Sequence, residues 1–116
     1  MDQRVQHVVS FIRNNYQRRL TLREMADTVN LSPWWLCHLF KADMGTSPER
    51  YLAQVRLEKA KDLLEDSFLS VKEIMTVVGI SDAGRFSRIF KAAYGVTPAK
   101  WRDSLSRKNY EYQEKG

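Results

Sequence analysis

Cysteine is nearly absent from this chain of 116 residues, and the one present, Cys37, excludes both an intramolecular disulfide and a zinc site built from several thiolates. A lone thiol fits a reducing compartment. No apolar run approaches the ~18 residues of a membrane span, and the amino terminus, MDQRVQHVV, has no signal-peptide core. A soluble, cytoplasmic protein is expected. Nor does any stretch alternate apolar and polar residues long enough to form a strand, so the fold class is expected to be all-α. The three prolines, Pro33, Pro48 and Pro98, all stand where a helix can begin.

What is present is enough for one small globular unit: 43% of residues are hydrophobic and 11% aromatic. Nineteen Lys+Arg against fourteen Asp+Glu leave a formal charge of +5 and a pI near 9.5, a balance that favours a polyanionic partner.

The dominant feature is an internal repeat. Leu20, Glu24, Val29, Leu31 and Ser32 pair with Leu69, Glu73, Val78, Ile80 and Ser81 at an offset of 49, and Phe40, Lys41, Gly45, Pro48 and Tyr51 pair with Phe90, Lys91, Gly95, Pro98 and Trp101 at an offset of 50. The second copy therefore holds one extra residue between Ser81 and Phe90. Two copies of a small unit suggest a molecule that touches a repeating ligand twice, and DNA is the first such ligand to consider.

Each copy is punctuated as a short helix, a tight turn and a second helix. Val5, Val8, Val9, Ile12 and Tyr16 form the apolar stripe of a leading helix capped by Asp2. Thr21 with Glu24, and Ser70 with Glu73, have the spacing of capping boxes. Asn30 and Gly79 occupy equivalent positions that tolerate the left-handed turn conformation. Ser32 then caps a helix that has Pro33 in its first turn, Ser81 or Asp82 caps its counterpart, and Gly45 and Gly95 close the pair. Ser47-Pro48 and Thr97-Pro98 open two further helices. The first of these is expected to run to about Glu65 as a stiff connector, with Tyr51, Leu52, Val55, Leu57, Leu63 and Leu64 as apolar positions. After about Leu105 the tail SRKNYEYQEKG lacks an apolar stripe and is expected to fray.

A helix-turn-helix lets its second helix protrude into a major groove. On that helix in the first copy, Leu36, Leu39 and Phe40 are expected to point inward, and Trp34, Cys37, His38 and Lys41 outward, with Trp35 between the faces and half in the core. In the second copy Phe86, Ile89, Phe90 and Ala93 are expected inward, and Gly84, Ser87, Arg88 and Lys91 outward. Arg88 can present a forked donor to guanine O6 and N7, and His38 can donate to the same acceptors or to a phosphate. Ser87 is short enough to approach a base edge, and an outward tryptophan suits thymine methyls and sugar edges. Gly84 weakens its helix by roughly 1 kcal/mol relative to alanine, which a close approach of backbone to DNA would offset. Ser47 and Thr97, with Arg50 and Lys100 at equivalent positions behind them, make the next helix starts phosphate-binding candidates.

The paired units, and above all the string GISDAGRFSRIFKAAYGVTPAKWR with its spacing GxSxxxxFSRxFKxxxGxTPxxxR, resemble the DNA-binding domain of the AraC/XylS transcriptional regulators. The resemblance covers about residues 5–102. It implies seven helices forming two helix-turn-helix subdomains, here at 1–46 and 67–105, joined by a long linker helix at 47–66 and followed by a flexible tail at 106–116. It implies that the helices carrying Trp34 to Lys41 and Arg85 to Lys91 are the recognition helices, entering successive major-groove segments about 34 Å apart. A connector of about 18 residues, rising roughly 27 Å, suits that spacing. The base-contacting candidates are then Trp34, Trp35, Cys37, His38, Arg85, Ser87 and Arg88. The phosphate-contacting candidates are Ser32, Lys41, Ser47, Arg50, Ser81, Lys91, Thr97 and Lys100. The partners implied are double-stranded promoter DNA and bacterial RNA polymerase, the output transcriptional activation, with no enzyme activity, no cofactor and no metal.

Family members commonly carry a separate effector or dimerisation domain, so the chain is expected to be monomeric by itself and, from its start just ahead of the first helix, to be the carboxy-terminal portion of a larger regulator. Met75 stands where the family usually has alanine, as at Ala26, and Ile80 where it often has phenylalanine, which implies local repacking beneath the second recognition helix. Two other readings fit parts of the sequence: a helical interaction module that binds a protein through Trp34, and a repair alkyltransferase using Cys37, for which no second acid-base group lies at an activating spacing.

Overall fold

Helix starts follow the caps written in the sequence. In the computed structural model, which describes residues 1–105, the Asp2 carboxylate accepts from the Arg4 backbone N–H and opens α1 (Gln3–Asn15). Thr21 opens α2 (Leu22–Asp27) by accepting from Glu24 N, and Ser32 opens α3 (Pro33–Met44) by accepting from Trp35 N. α4 (Pro48–Asp66) begins where the Ser47 hydroxyl accepts from Arg50 N. Ser70 opens α5 (Val71–Val78) with a complete capping box to Glu73, and Asp82 opens α6 (Ala83–Tyr94). A seventh helix, α7, starts at Pro98, ahead of which Thr97 accepts from Lys100 N, and continues to residue 105. Among the described residues there are seven helices and no strand, and no helix is long and apolar enough to cross a membrane. The tail expected at 106–116 lies outside the described residues.

The two helix-turn-helix turns are built alike. Asn30 at φ 57° and Gly79 at φ 84° are both left-handed. Immediately after them, the Leu31 N–H donates to the Ala26 carbonyl at 3.0 Å and the Ile80 N–H to the Met75 carbonyl at 2.9 Å, the six-to-one bond that closes such a turn. The extra residue of the second copy sits next. Because Asp82, not Ser81, accepts from Arg85 N, Ser81 is a turn residue and the cap has moved one position on. Thr21 and Glu24 form only half of the expected capping box: the Glu24 carboxylate instead takes the Arg18 guanidinium at 2.7 Å.

Contacts divide the chain inside α4, into a unit Met1–Arg56 and a second unit beginning at Leu57. The first unit buries Val5, Val8, Ile12, Met25, Ala26, Leu36, Phe40, Tyr51, Leu52 and Val55 together. The second buries Leu57, Ala60, Leu64, Ile74, Met75, Val78, Phe86 and Phe90. Phe40 lies 5.7 Å from Tyr51, centroid to centroid, and its counterpart Phe90 lies 6.2 Å from Trp101. Both phenylalanines are completely buried, so truncating either to alanine costs about 3–5 kcal/mol. Ala93, expected inward, is exposed. It matches Asp43, and both stand at the solvent edge of a last helical turn, past the phenylalanine that fills the core.

Each unit also contains an arginine that ties down the end of its leading helix. In the first, Arg56 donates to the Tyr16 and Arg18 carbonyls, each at 2.9 Å. In the second, Arg102 donates to the carbonyls of Leu63, Leu64, Ser67 and Leu69. Tyr16, Arg18, Ser67 and Leu69 lie beyond the last residues of α1 and α4, and Leu63 and Leu64 lie in the last turn of α4; carbonyls at a helix end are short of intrahelical donors, and a guanidinium with five donors reaches several at once.

Candidate nucleic-acid interface

The outward faces of α3 and α6 match position by position. Trp34, His38 and Lys41 are exposed with Cys37 half-buried among them; Gly84, Arg88 and Lys91 are exposed with Ser87 half-buried. Opposite each stripe, Leu36 and Phe40, or Phe86 and Phe90, lock the helix to its own core. Each stripe is thus carried by a helix whose inner face is fixed.

On α3 the aromatic residues organise one another. Trp34 is 60% exposed. The His38 ring lies against it with centroids 3.8 Å apart and planes 36° apart, and the His38 Nδ1 is 2.9 Å from the Trp34 backbone oxygen. Trp35 meets Trp34 edge-on at 5.2 Å. At 54% exposed, Trp35 is a surface residue and not the half-core residue expected; it borders a shallow hollow also lined by Arg4, Leu31 and Leu39. Cys37 remains a thiol, since burial above all, with the Glu49 charge adding to it, pushes its pKa upward.

α6 is barer. A Cβ on Gly84 would lie 3.4 Å from Nη1 of Arg88 and 3.5 Å from Oδ1 of Asp82, so the Arg88 guanidinium lies back along its own helix toward the amino-terminal cap. Gly84 occupies the place that Trp34 holds in α3: the residue one turn ahead of the central side chain is a broad ring in one helix and nothing in the other. Arg85 in the first turn of α6 is exposed.

The phosphate candidates are split by their local roles. Ser32, Ser47 and Thr97 spend an oxygen lone pair on a helix cap, which leaves each hydroxyl hydrogen to donate. Ser81 is exposed in the turn before α6. Arg50 and Lys100, Lys41 and Lys91 are all exposed and form no ion pair among the described residues. Other basic groups are engaged within the fold: Arg4 with Asp2 at 3.0 Å, Arg18 with Glu24, and Lys61 over the Tyr94 and Trp101 rings at 5.3 and 5.9 Å. The arginine clamps Arg56 and Arg102 and the Trp34–His38 contact were not foreseen from sequence. Spacing of four residues signalled that Trp34 and His38 share a face, but not that they touch.

Comparison with known proteins places this geometry. Residues 25–104 match the family model described as a helix-turn-helix domain. The chain is 38% identical over 97 residues to the raffinose operon transcriptional regulatory protein of Pediococcus pentosaceus, covering 84% of this chain and 35% of that protein. It is 33% identical over 105 residues to the lactose operon transcription activator of Staphylococcus xylosus, covering 90% and 38%. Among solved structures, the carboxy-terminal domain of AraT, a response regulator from Geobacillus stearothermophilus, superposes with a TM-score of 0.83 at 33% identity, over 89% of this chain and 86% of that one. The chain spans a little over a third of the length of these two curated relatives.

Proposed function

The chain belongs to the AraC/XylS family of helix-turn-helix transcriptional regulators, and on that premise we propose that α3 and α6 are its two recognition helices, each reading bases in its own major-groove segment of promoter DNA. One observation carries this reading: two outward stripes, in the same register and of the same exposure pattern, stand on the second helix of two like-built turns, each ending in an exposed lysine. Base edges are met by Trp34, Trp35, Cys37 and His38 from α3 and by Arg85, Ser87 and Arg88 from α6. Lys41 and Lys91 reach phosphates, joined by the hydroxyls of Ser32, Ser47, Ser81 and Thr97 and by Arg50 and Lys100. The Ser47 and Thr97 helix starts add unpaired N–H groups and a partial positive charge.

The protein acts by binding, not catalysis, in the cytoplasm, and activates transcription of target genes, with RNA polymerase as a further partner. A thiol whose pKa is raised is a poor nucleophile, which argues against alkyl transfer by Cys37. Selection of the protein's ligands from a random duplex library tests the reading: recovery of a motif with two separate information-rich segments is expected, and no enrichment over random duplex defeats it. The exposed Trp34–Trp35 pair favours one rival, a protein-binding surface. That rival requires Trp34→Ala to leave DNA affinity untouched.

A further inference from the structure

A backbone carbonyl oxygen can only accept a hydrogen bond. The 2.9 Å contact between the His38 Nδ1 and the Trp34 oxygen therefore puts the imidazole proton on Nδ1, and in the neutral ring the second nitrogen, Nε2, is left as a bare acceptor. His38 is exposed, and its Nε2 has no hydrogen-bond partner among the described residues. The Trp34 indole, 3.8 Å away between centroids, restricts the rotation that would exchange the two nitrogens.

The major groove offers only two kinds of donor to such an atom: the N6 amino group of adenine and the N4 amino group of cytosine. Guanine O6 and N7 are acceptors and face a bare Nε2 unfavourably. We infer that His38 reads an exocyclic amino group of adenine or cytosine through Nε2, with Trp34 as the positioning residue that holds the tautomer and ring orientation. This rests on α3 being a recognition helix, as proposed above, and it reverses the donor role that the sequence alone suggests for His38. The central residue of α6, Arg88, has donors only. The two recognition helices thus carry opposite hydrogen-bonding characters at equivalent positions, an acceptor in α3 and a donor in α6.

Two measurements test this. Long-range nitrogen-15 spectra of the free protein at pH 8, well above the ordinary histidine range, should show the Nδ1–H tautomer for His38, and a larger Nε2–H fraction in Trp34→Ala; an Nε2–H tautomer in the parent protein overturns the inference without touching the recognition-helix reading. Next, in a duplex carrying the selected motif, each adenine is replaced in turn by purine, which lacks the N6 amino group, and each cytosine by its analogue lacking the N4 amino group. At one position the parent protein should lose about fivefold in affinity while His38→Ala loses nothing further. Coupling of His38 instead to 7-deazaguanine, which lacks the N7 acceptor, overturns the inference. If substitutions at Trp34, Cys37, His38 and Lys41 all leave the selected motif and its affinity unchanged, the recognition-helix reading of α3 falls as well.

Discussion

The His38 imidazole is held twice by one residue: its ring lies 3.8 Å from the Trp34 indole, centroid to centroid, and its Nδ1 is 2.9 Å from the Trp34 carbonyl oxygen. Position 88 has no such neighbour, because Gly84 stands where Trp34 would. If these helices read DNA as proposed, His38 is held in place by its own helix while Arg88 lacks an aromatic neighbour at the equivalent position. Trp34→Ala is expected to weaken DNA binding by both lost contact and lost orientation of His38, yet to leave the melting temperature within about 2 °C, since surface substitutions usually change stability by less than about 0.5 kcal/mol. Fluorescence anisotropy on a selected duplex and a thermal melt separate the two effects.

Arg88→Ala should cost about 1–3 kcal/mol on the selected duplex and much less on random DNA. Lys41→Ala and Lys91→Ala should weaken both alike, each flattening the slope of log affinity against log salt by about 1. Titrations at several salt concentrations on both duplexes check this. Equal losses for Arg88→Ala on the two would exclude base reading by that residue.

Glycines at 84 and 95 should respond in opposite ways. A Cβ at Gly84 meets nothing closer than ordinary contact, so Gly84→Ala should stabilise the protein by about 0.5–1 kcal/mol while lowering DNA affinity if backbone approaches the groove there. Gly95 has open space around it but φ +86°, so Gly95→Ala should destabilise by about 1–2 kcal/mol. Urea unfolding of the two variants decides the sign.

Arg102→Met keeps the aliphatic stem and removes the donors to four carbonyls. About 2 kcal/mol of stability should be lost, as for charged hydrogen bonds to partly buried groups, with amide exchange accelerated first around residues 63–71. Unchanged exchange there would mean that the clamp contributes nothing.

Hydrogen bonds from the Arg4 side chain, helped by the Arg4 backbone N–H, hold the Asp2 carboxyl down from 3.8 to about 2. A depressed carboxyl stabilises the fold fully above the unfolded value near 4 and loses that contribution as pH falls through about 2. Carbon-13 titration of Asp2 should show the low midpoint, moving upward in Arg4→Ala.

Much of the fold could be read from the chain because its signals are local. A cap needs one short side chain two or three residues before the N–H it accepts from, and a left-handed turn needs a residue that tolerates positive φ, so Asp2, Ser32, Ser70, Asn30 and Gly79 were visible in sequence. Apolar spacing in the same way announced that Leu36 and Phe40, or Phe86 and Phe90, face inward. Trouble arose where two local choices competed or where a face reached its edge. Ser81 and Asp82 offered equally good caps, Glu24 had both Thr21 and Arg18 within reach, and Trp35 and Ala93 sat at the margins of the buried stripe.

By itself the sequence determined the seven-helix plan, the two like-built turns and the identity of the residues on the outward stripes, since periodicity and capping act over one or two turns of chain. Only the tertiary structure decided what those residues can do. Arg56 and Arg102 became clamps because packing brought carbonyls 33 to 40 residues away within reach. His38 acquired its acceptor because a particular side-chain rotation placed one ring nitrogen on a carbonyl and one ring on another. Rotamer and approach are properties of atoms in space, and residue spacing limits them without choosing among them.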